Sequence, residues 1–155
     1  MPSANAAAPA AIYDPANFEP RSCLGRLLTQ VKLSMSDALD EELEPLGITS
    51  AQFVILVMLA DADAESASNL CRSASYDQGA MTRMIDRLER KNLVRRGRSP
   101  EDRRRVNLEL TAEGRAVYPK LIAAAANVNN RFLRGFSKTD ARKLEDLLNR
   151  MLANR

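Results

Sequence analysis

A mainly α-helical fold with one small β-hairpin is what these 155 residues predict. Three patterns carry the prediction. Apolar residues recur at steps of three and four along most of the chain, the period of helices with one buried face. Val106-Asn107-Leu108-Glu109-Leu110 instead alternates apolar with polar, the period of a half-buried strand. Leu93-Val94-Arg95-Arg96-Gly97-Arg98 precedes it across the charged, turn-forming Ser99-Pro100-Glu101-Asp102-Arg103-Arg104.

Composition narrows the function. Hydrophobic residues make up 45% and charged residues 28%, as in a globular domain of ordinary size. No apolar run approaches the roughly 20 residues that span a bilayer. The N-terminus lacks a basic region before an apolar run, so no secretory signal is read and a cytoplasmic location is expected. Cys23 and Cys71 are too few for a disulfide framework. With no histidine, His-dependent triads and His-ligated metal sites are excluded. There is no glycine-rich phosphate loop, and the carboxylates read as capping and ion-pair residues. No enzyme, cofactor or metal is expected.

Residues 1–17 are rich in Ala, Pro, Ser and Asn and read as a flexible arm, with a short ordered piece around Tyr13 to Phe18. Leu24, Leu27, Leu28, Val31, Met35, Ala38, Leu39 and Leu43 form the stripe of a long amphipathic helix. Pro45 and Gly47 end it. Thr49 or Ser50 caps a second helix running through Ala60, apolar nearly all round and so expected to be buried. Asp61 to Glu65 reads as a loop. A short helix follows over about Ala67 to Ser73, with Leu70 and Cys71 inward. The next runs from about Asp77 to Asn92, with Met81, Met84, Ile85 and Leu88 as its apolar face. Ser75 and Gln78 suggest a capping box at its start. After the hairpin, Thr111 caps a long Ala-rich helix to about Phe136, in which Pro119 is a kink unless the helix start tolerates it. Ser137 with Asp140 opens the last helix, striped by Ala141, Leu144, Leu147, Leu148, Met151 and Leu152.

Opposite the Met81–Leu88 stripe lie Gln78, Gly79, Thr82, Arg83, Asp86, Arg87 and Arg90, a polar face whose charges are mostly basic. A short helix, a tight turn and a second helix with such a face make a helix-turn-helix, whose second helix enters the DNA major groove. Running on into a basic-tipped hairpin, it becomes a winged helix-turn-helix. The net charge is only +3, but between Arg83 and Arg105 there are 10 basic and 4 acidic residues. Clustered arginine suits phosphate and guanine edges.

The run from Asp77 to Gly114 resembles the MarR family of bacterial transcription regulators. The motifs are Gln78-Gly79-Ala80-Met81-Thr82-Arg83, Ile85-Asp86-Arg87-Leu88-Glu89-Arg90-Lys91-Asn92-Leu93-Val94, Pro100-Glu101-Asp102-Arg103-Arg104 and Leu108-Glu109-Leu110-Thr111-Ala112-Glu113-Gly114. Upstream, Leu46-Gly47-Ile48-Thr49-Ser50-Ala51-Gln52-Phe53 fits the start of the family's second helix. The resemblance covers about Leu24 to Arg155. It implies a single MarR-type domain over 18–155 and a MarR-like intertwined homodimer. Residues 18–46 and 112–155 would supply the dimerisation helices, and 48–111 the winged helix-turn-helix.

It also implies a repressor that binds a pseudo-palindromic double-stranded DNA operator and is released by a small aromatic carboxylate. Gln78, Gly79, Ala80, Thr82 and Arg83 are assigned to the major groove, with Gly79 and Ala80 allowing close approach, and Arg87 to phosphate. In the wing, Arg103, Arg104 and Arg105 lie at or near the tip. The resemblance places Arg104 in the minor groove, oriented by Asp102. An effector in the family's cleft would meet Arg21, Cys23 and Arg26 from the first helix, and Phe53 and Val57 from the second. An arginine there pairs with a carboxylate, and Phe53 stacks or packs on a ring. Two alternatives stay open. A thiol-sensing branch of the family carries a cysteine near the position of Cys23, but its supporting tyrosines are missing here between Tyr13 and Tyr76. A winged helix that binds protein instead of DNA is the other.

Overall fold

The computed structural model describes residues 11–62, 65–74, 76–98 and 106–154. The chain divides into two compact units, Met1–Ser34 and Met35–Arg155. In the first, Asp14 caps a 3-10 turn over Pro15–Asn17, accepting from the Ala16 amide at 3.0 Å. Tyr13 and Phe18 meet edge to face, with ring centroids 5.5 Å apart. Helix α1 (Leu24–Leu43) begins in this unit, where Leu24, Leu27, Leu28 and Val31 are exposed.

In the second unit, the end of α1 buries Ala38 and Leu43. A 3-10 turn over Glu44–Leu46 then bends the chain through Gly47, which sits in the left-handed region (φ 62°) that favours glycine. Helix α2 (Ser50–Ala62) opens on a reciprocal cap. The Thr49 hydroxyl accepts from the Gln52 amide, and the Gln52 side chain accepts from the Thr49 amide, both at 3.2 Å. Ile55, Leu56 and Leu59 are fully buried on this helix, as its apolar sequence requires. Helix α3 (Ala67–Ala74) buries Leu70. Helix α4 (Gln78–Arg90) buries Met81, Ile85 and Leu88.

Strands β2 (Val94–Arg98) and β3 (Val106–Leu110) pair antiparallel, Val94 opposite Leu110 and Arg98 opposite Val106. A further strand, β1 (Glu65–Ser66), pairs with β3, giving a three-stranded sheet of order β1-β3-β2. The expected loop at 61–65 is therefore corrected at both ends: α2 runs on to Ala62, and Glu65 faces Leu108 across the sheet. Two residues are too few to show alternation, and their partner lies far along the chain. The α4 cap also differs from the Ser75–Gln78 box. Asp77 caps it, accepting from the Ala80 amide at 2.9 Å, while Ser75 lies outside the described residues. At its other end, the Leu93 amide bonds back to the Leu88 carbonyl and the Asn92 amide to the Glu89 carbonyl. Asn92 has φ 56°, so the helix ends in a Schellman motif with asparagine at its left-handed position.

Helix α5 (Ala112–Phe132) continues through Pro119 and ends before the expected Phe136. Gly135 (φ 89°) turns the chain into α6 (Lys138–Ala153). A full capping box between Ser137 and Asp140 opens this helix, as its sequence predicts. One core joins the winged helix to α5, with Leu121 buried beside the Leu43, Ile55, Ile85 and Leu108 cluster.

Candidate nucleic-acid interface

Helix α4 is amphipathic, and its apolar side is consumed by the core. That fixes its rotation and turns the other side outward. Gln78, Gly79, Thr82, Arg83 and Arg87 are exposed and Ala80 is half-buried, so all six sequence-predicted positions on this helix lie at or near one open face. The Asp77 carboxylate takes up the Ala80 amide in the first turn of the helix. Gly79 leaves space that a Cβ would fill, 3.2 Å from the Asp77 carboxylate and 3.5 Å from Nη1 of Arg83. The Arg83 guanidinium therefore lies back over Gly79. Thr82 donates its hydroxyl to the Gln78 carbonyl at 2.9 Å.

The arginines fall into two classes. Among the described residues, none forms an ion pair with Arg83 or Arg87. Arg95 and Arg96 on β2 are already paired. Arg95 meets Glu109 across the hairpin at 2.7 Å. Arg96 meets Asp86 at 2.7 Å and also Glu89, both on α4. Counting basic residues in sequence therefore overstates the free positive charge. Lys91, just past α4, donates to the Gly47 carbonyl and lies 3.4 Å from Oε1 of Gln52, the buried polar side chain of α2. Composition and spacing do not separate these engaged cations from the others. The available signal was Asp86 and Glu89 spaced one helical turn apart, just before an arginine-bearing strand.

The wing positions Asp102, Arg103, Arg104 and Arg105 lie outside the described residues. Of the effector positions, Arg21 and Arg26 are exposed and Cys23 is half-buried in the first unit. Cys23 donates to the Pro20 carbonyl at 3.3 Å. Phe53 and Val57 stand four residues apart on α2, both half-buried, and Phe53 packs against the core. Among the described residues, no group of acidic or cysteine side chains could hold a metal ion, and no single helix is long and apolar enough to cross a membrane.

The MarR family model matches residues 48–106. The multiple antibiotic resistance protein MarR of Escherichia coli is 42% identical over 94 residues, 61% of this chain. That match spans 65% of the relative's own length, slightly less than two thirds. A solved structure of a mutant MarR from E. coli complexed with operator DNA superposes with a TM-score of 0.75 at 34% identity, covering 83% of this chain and 93% of that one. An HTH-type transcriptional repressor of Mycobacterium tuberculosis is 30% identical over 128 residues, covering 83% of this chain and 92% of its own. The chain belongs to the MarR family. Another solved relative is BpsR of Bordetella bronchiseptica, whose DNA binding is described as regulated by 6-hydroxynicotinic acid. It has a TM-score of 0.77 at 25% identity and covers 86% of this chain and 96% of its own. The fold of this MarR-family chain is thus the winged helix that its motifs imply. The repressors named among its relatives are regulators, not enzymes.

Proposed function

We propose that this chain is a cytoplasmic, homodimeric repressor that reads a pseudo-palindromic DNA operator and is released by a small aromatic carboxylate. One observation carries the DNA reading. The buried side of α4 fixes a helix whose open side presents Gln78, Gly79, Thr82, Arg83 and Arg87, the two arginines without an ion pair among the described residues. Gln78 suits adenine, Arg83 suits guanine or phosphate, and Arg87 suits phosphate. Asp102 and Arg103 to Arg105 supply the wing contact, with Arg104 in the minor groove. E. coli MarR in complex with operator DNA supports this reading. The dimer is supported by apolar side chains left exposed in each unit: Leu24, Leu27, Leu28 and Val31 in the first, Leu144, Leu147, Met151 and Leu152 in the second. The effector class is supported by BpsR and its pyridine carboxylate. Arg21, Cys23, Arg26, Phe53 and Val57 are the effector positions.

The test is binding to the DNA upstream of the protein's own gene, with and without a panel of aromatic carboxylates. Salt-sensitive, specific binding released by one acid is the expected result. Binding no better than to random duplex would overturn operator recognition at that locus. Binding undisturbed by every acid would remove the effector class and keep the DNA reading.

A further inference from the structure

We propose that Arg96 is a positioning residue that sets the angle between the β2–β3 hairpin and helix α4, and with it the register in which both are offered to DNA. The proposal rests on reading α4 and the hairpin as the DNA-binding elements.

The guanidinium of Arg96 spans two carboxylates one turn apart on α4. Its Nη2 donates to Asp86 at 2.7 Å, and its Nη1 donates to Oε2 of Glu89. The other oxygen of Glu89 accepts the backbone amide of Arg96 at 3.2 Å. Since β2 is an edge strand of the sheet, Glu89 takes up an amide that the sheet leaves unpaired. Three bonds thus join the middle of the strand to the helix, through both a side chain and the main chain. Arg95 is the contrast. It pairs with Glu109 inside the hairpin, its cross-strand neighbour, and stiffens the hairpin without holding α4.

Leverage gives the contact its consequence. Each hairpin strand has five residues. That is roughly 17 Å of chain, so a tilt of ~10° at the base would move the far end by ~3 Å, about one hydrogen-bond length. Charge acts in the same direction. Without Arg96, Asp86 and Glu89 would stand as unscreened like charges on the helix expected to approach phosphate. A lysine cannot replace it, because one ammonium lacks the planar fork that reaches both carboxylates.

The test combines operator binding with residual dipolar couplings of the DNA-free protein, for Arg96→Ala and Arg96→Lys. Each is made alone and in an Asp86→Asn, Glu89→Gln background, with Arg95→Ala as the hairpin-internal control. Arg96→Ala is expected to weaken operator binding about tenfold while the protein stays folded at the assay temperature. Arg96→Lys should recover little of this, and Arg95→Ala should lose less. In the carboxylate-free background, removing Arg96 should change affinity by less than about twofold. The couplings should show the hairpin losing its single orientation to α4. An equal loss in both backgrounds would make Arg96 a direct phosphate contact and overturn the proposal. Unchanged couplings in Arg96→Ala would also overturn it. If the parent chain binds no duplex, the DNA reading fails, and the couplings still decide the tether.

Discussion

Gly114, in the first turn of α5, lies against the backbone of Leu93, so that a Cβ built on it would stand 2.1 Å from the Leu93 carbonyl oxygen. The same carbonyl accepts the Thr111 amide at 3.1 Å, and the Thr111 hydroxyl donates to the Asn92 carbonyl at 2.6 Å. The Leu-Thr-x-x-Gly motif therefore seats α5 on the α4–β2 junction. In an exposed helix, glycine to alanine would stabilise by about 1 kcal/mol through propensity. Here a backbone oxygen occupies the space, so the overlap wins. Gly114→Ala is expected to destabilise by roughly 2–4 kcal/mol in urea unfolding. A stabilised variant would contradict the close approach.

The Asp140 carboxyl is held below its ordinary value of 3.8 by the Ser137 hydroxyl and then by the Ser137 amide, with burial opposing weakly. A depressed folded value stabilises the folded state above pH 3.8 and stops doing so as pH falls through the folded value. The start of α6 should therefore loosen only in acid. Carboxyl titration by NMR should place the Asp140 midpoint below 3.8, and Ser137→Ala should return it towards that value. An unmoved midpoint would show that the cap does not act on the carboxylate.

Arg83 and Arg87 are both exposed and without an ion-pair partner among the described residues, and the proposed reading gives them different roles. Arg83 lies in the N-terminal half of α4 against Gly79, where the proposed reading assigns it a base edge, while Arg87 lies a turn further on and is assigned to phosphate. Arg83→Ala should relax preference at one operator position by about 1–3 kcal/mol. Arg87→Ala should weaken all sequences alike and reduce the slope of log affinity against log salt by about 0.9. Competition binding against single-base operator variants at two salt concentrations checks both. Swapped behaviours would exchange the assignments.

Most helices were legible because their apolar stripes match the residues that the core buries, from Leu43 to Ile85 and Leu121. Caps at Thr111 and Ser137 were legible from local sequence, and the choice between Thr49 and Ser50 falls to Thr49. Strand β1 was not, because a two-residue strand has no period and its partner is Leu108. Nor was the division of the arginines. Arg83 and Arg96 look alike in sequence. Only the packing of β2 on α4 brings Arg96 to Asp86 and Glu89, while Arg83 has no ion-pair partner among the described residues.

The stripe of α6 has the period of a buried face and stays open among the described residues of its unit. Leu144, Leu147, Met151 and Leu152 are each 40–59% exposed. Burying a leucine contributes about 1.5–3 kcal/mol, so several left open favour association. Two-fold pairing would bring the same face of two chains together, and a charge there would be introduced twice. Leu147→Glu is therefore expected to give monomers of 17.2 kDa in sedimentation, where the parent chain should sediment as twice that mass. Operator affinity should fall with it, since each half-site would then bind alone. A variant that remains dimeric with unchanged affinity would place the interface away from this face of α6.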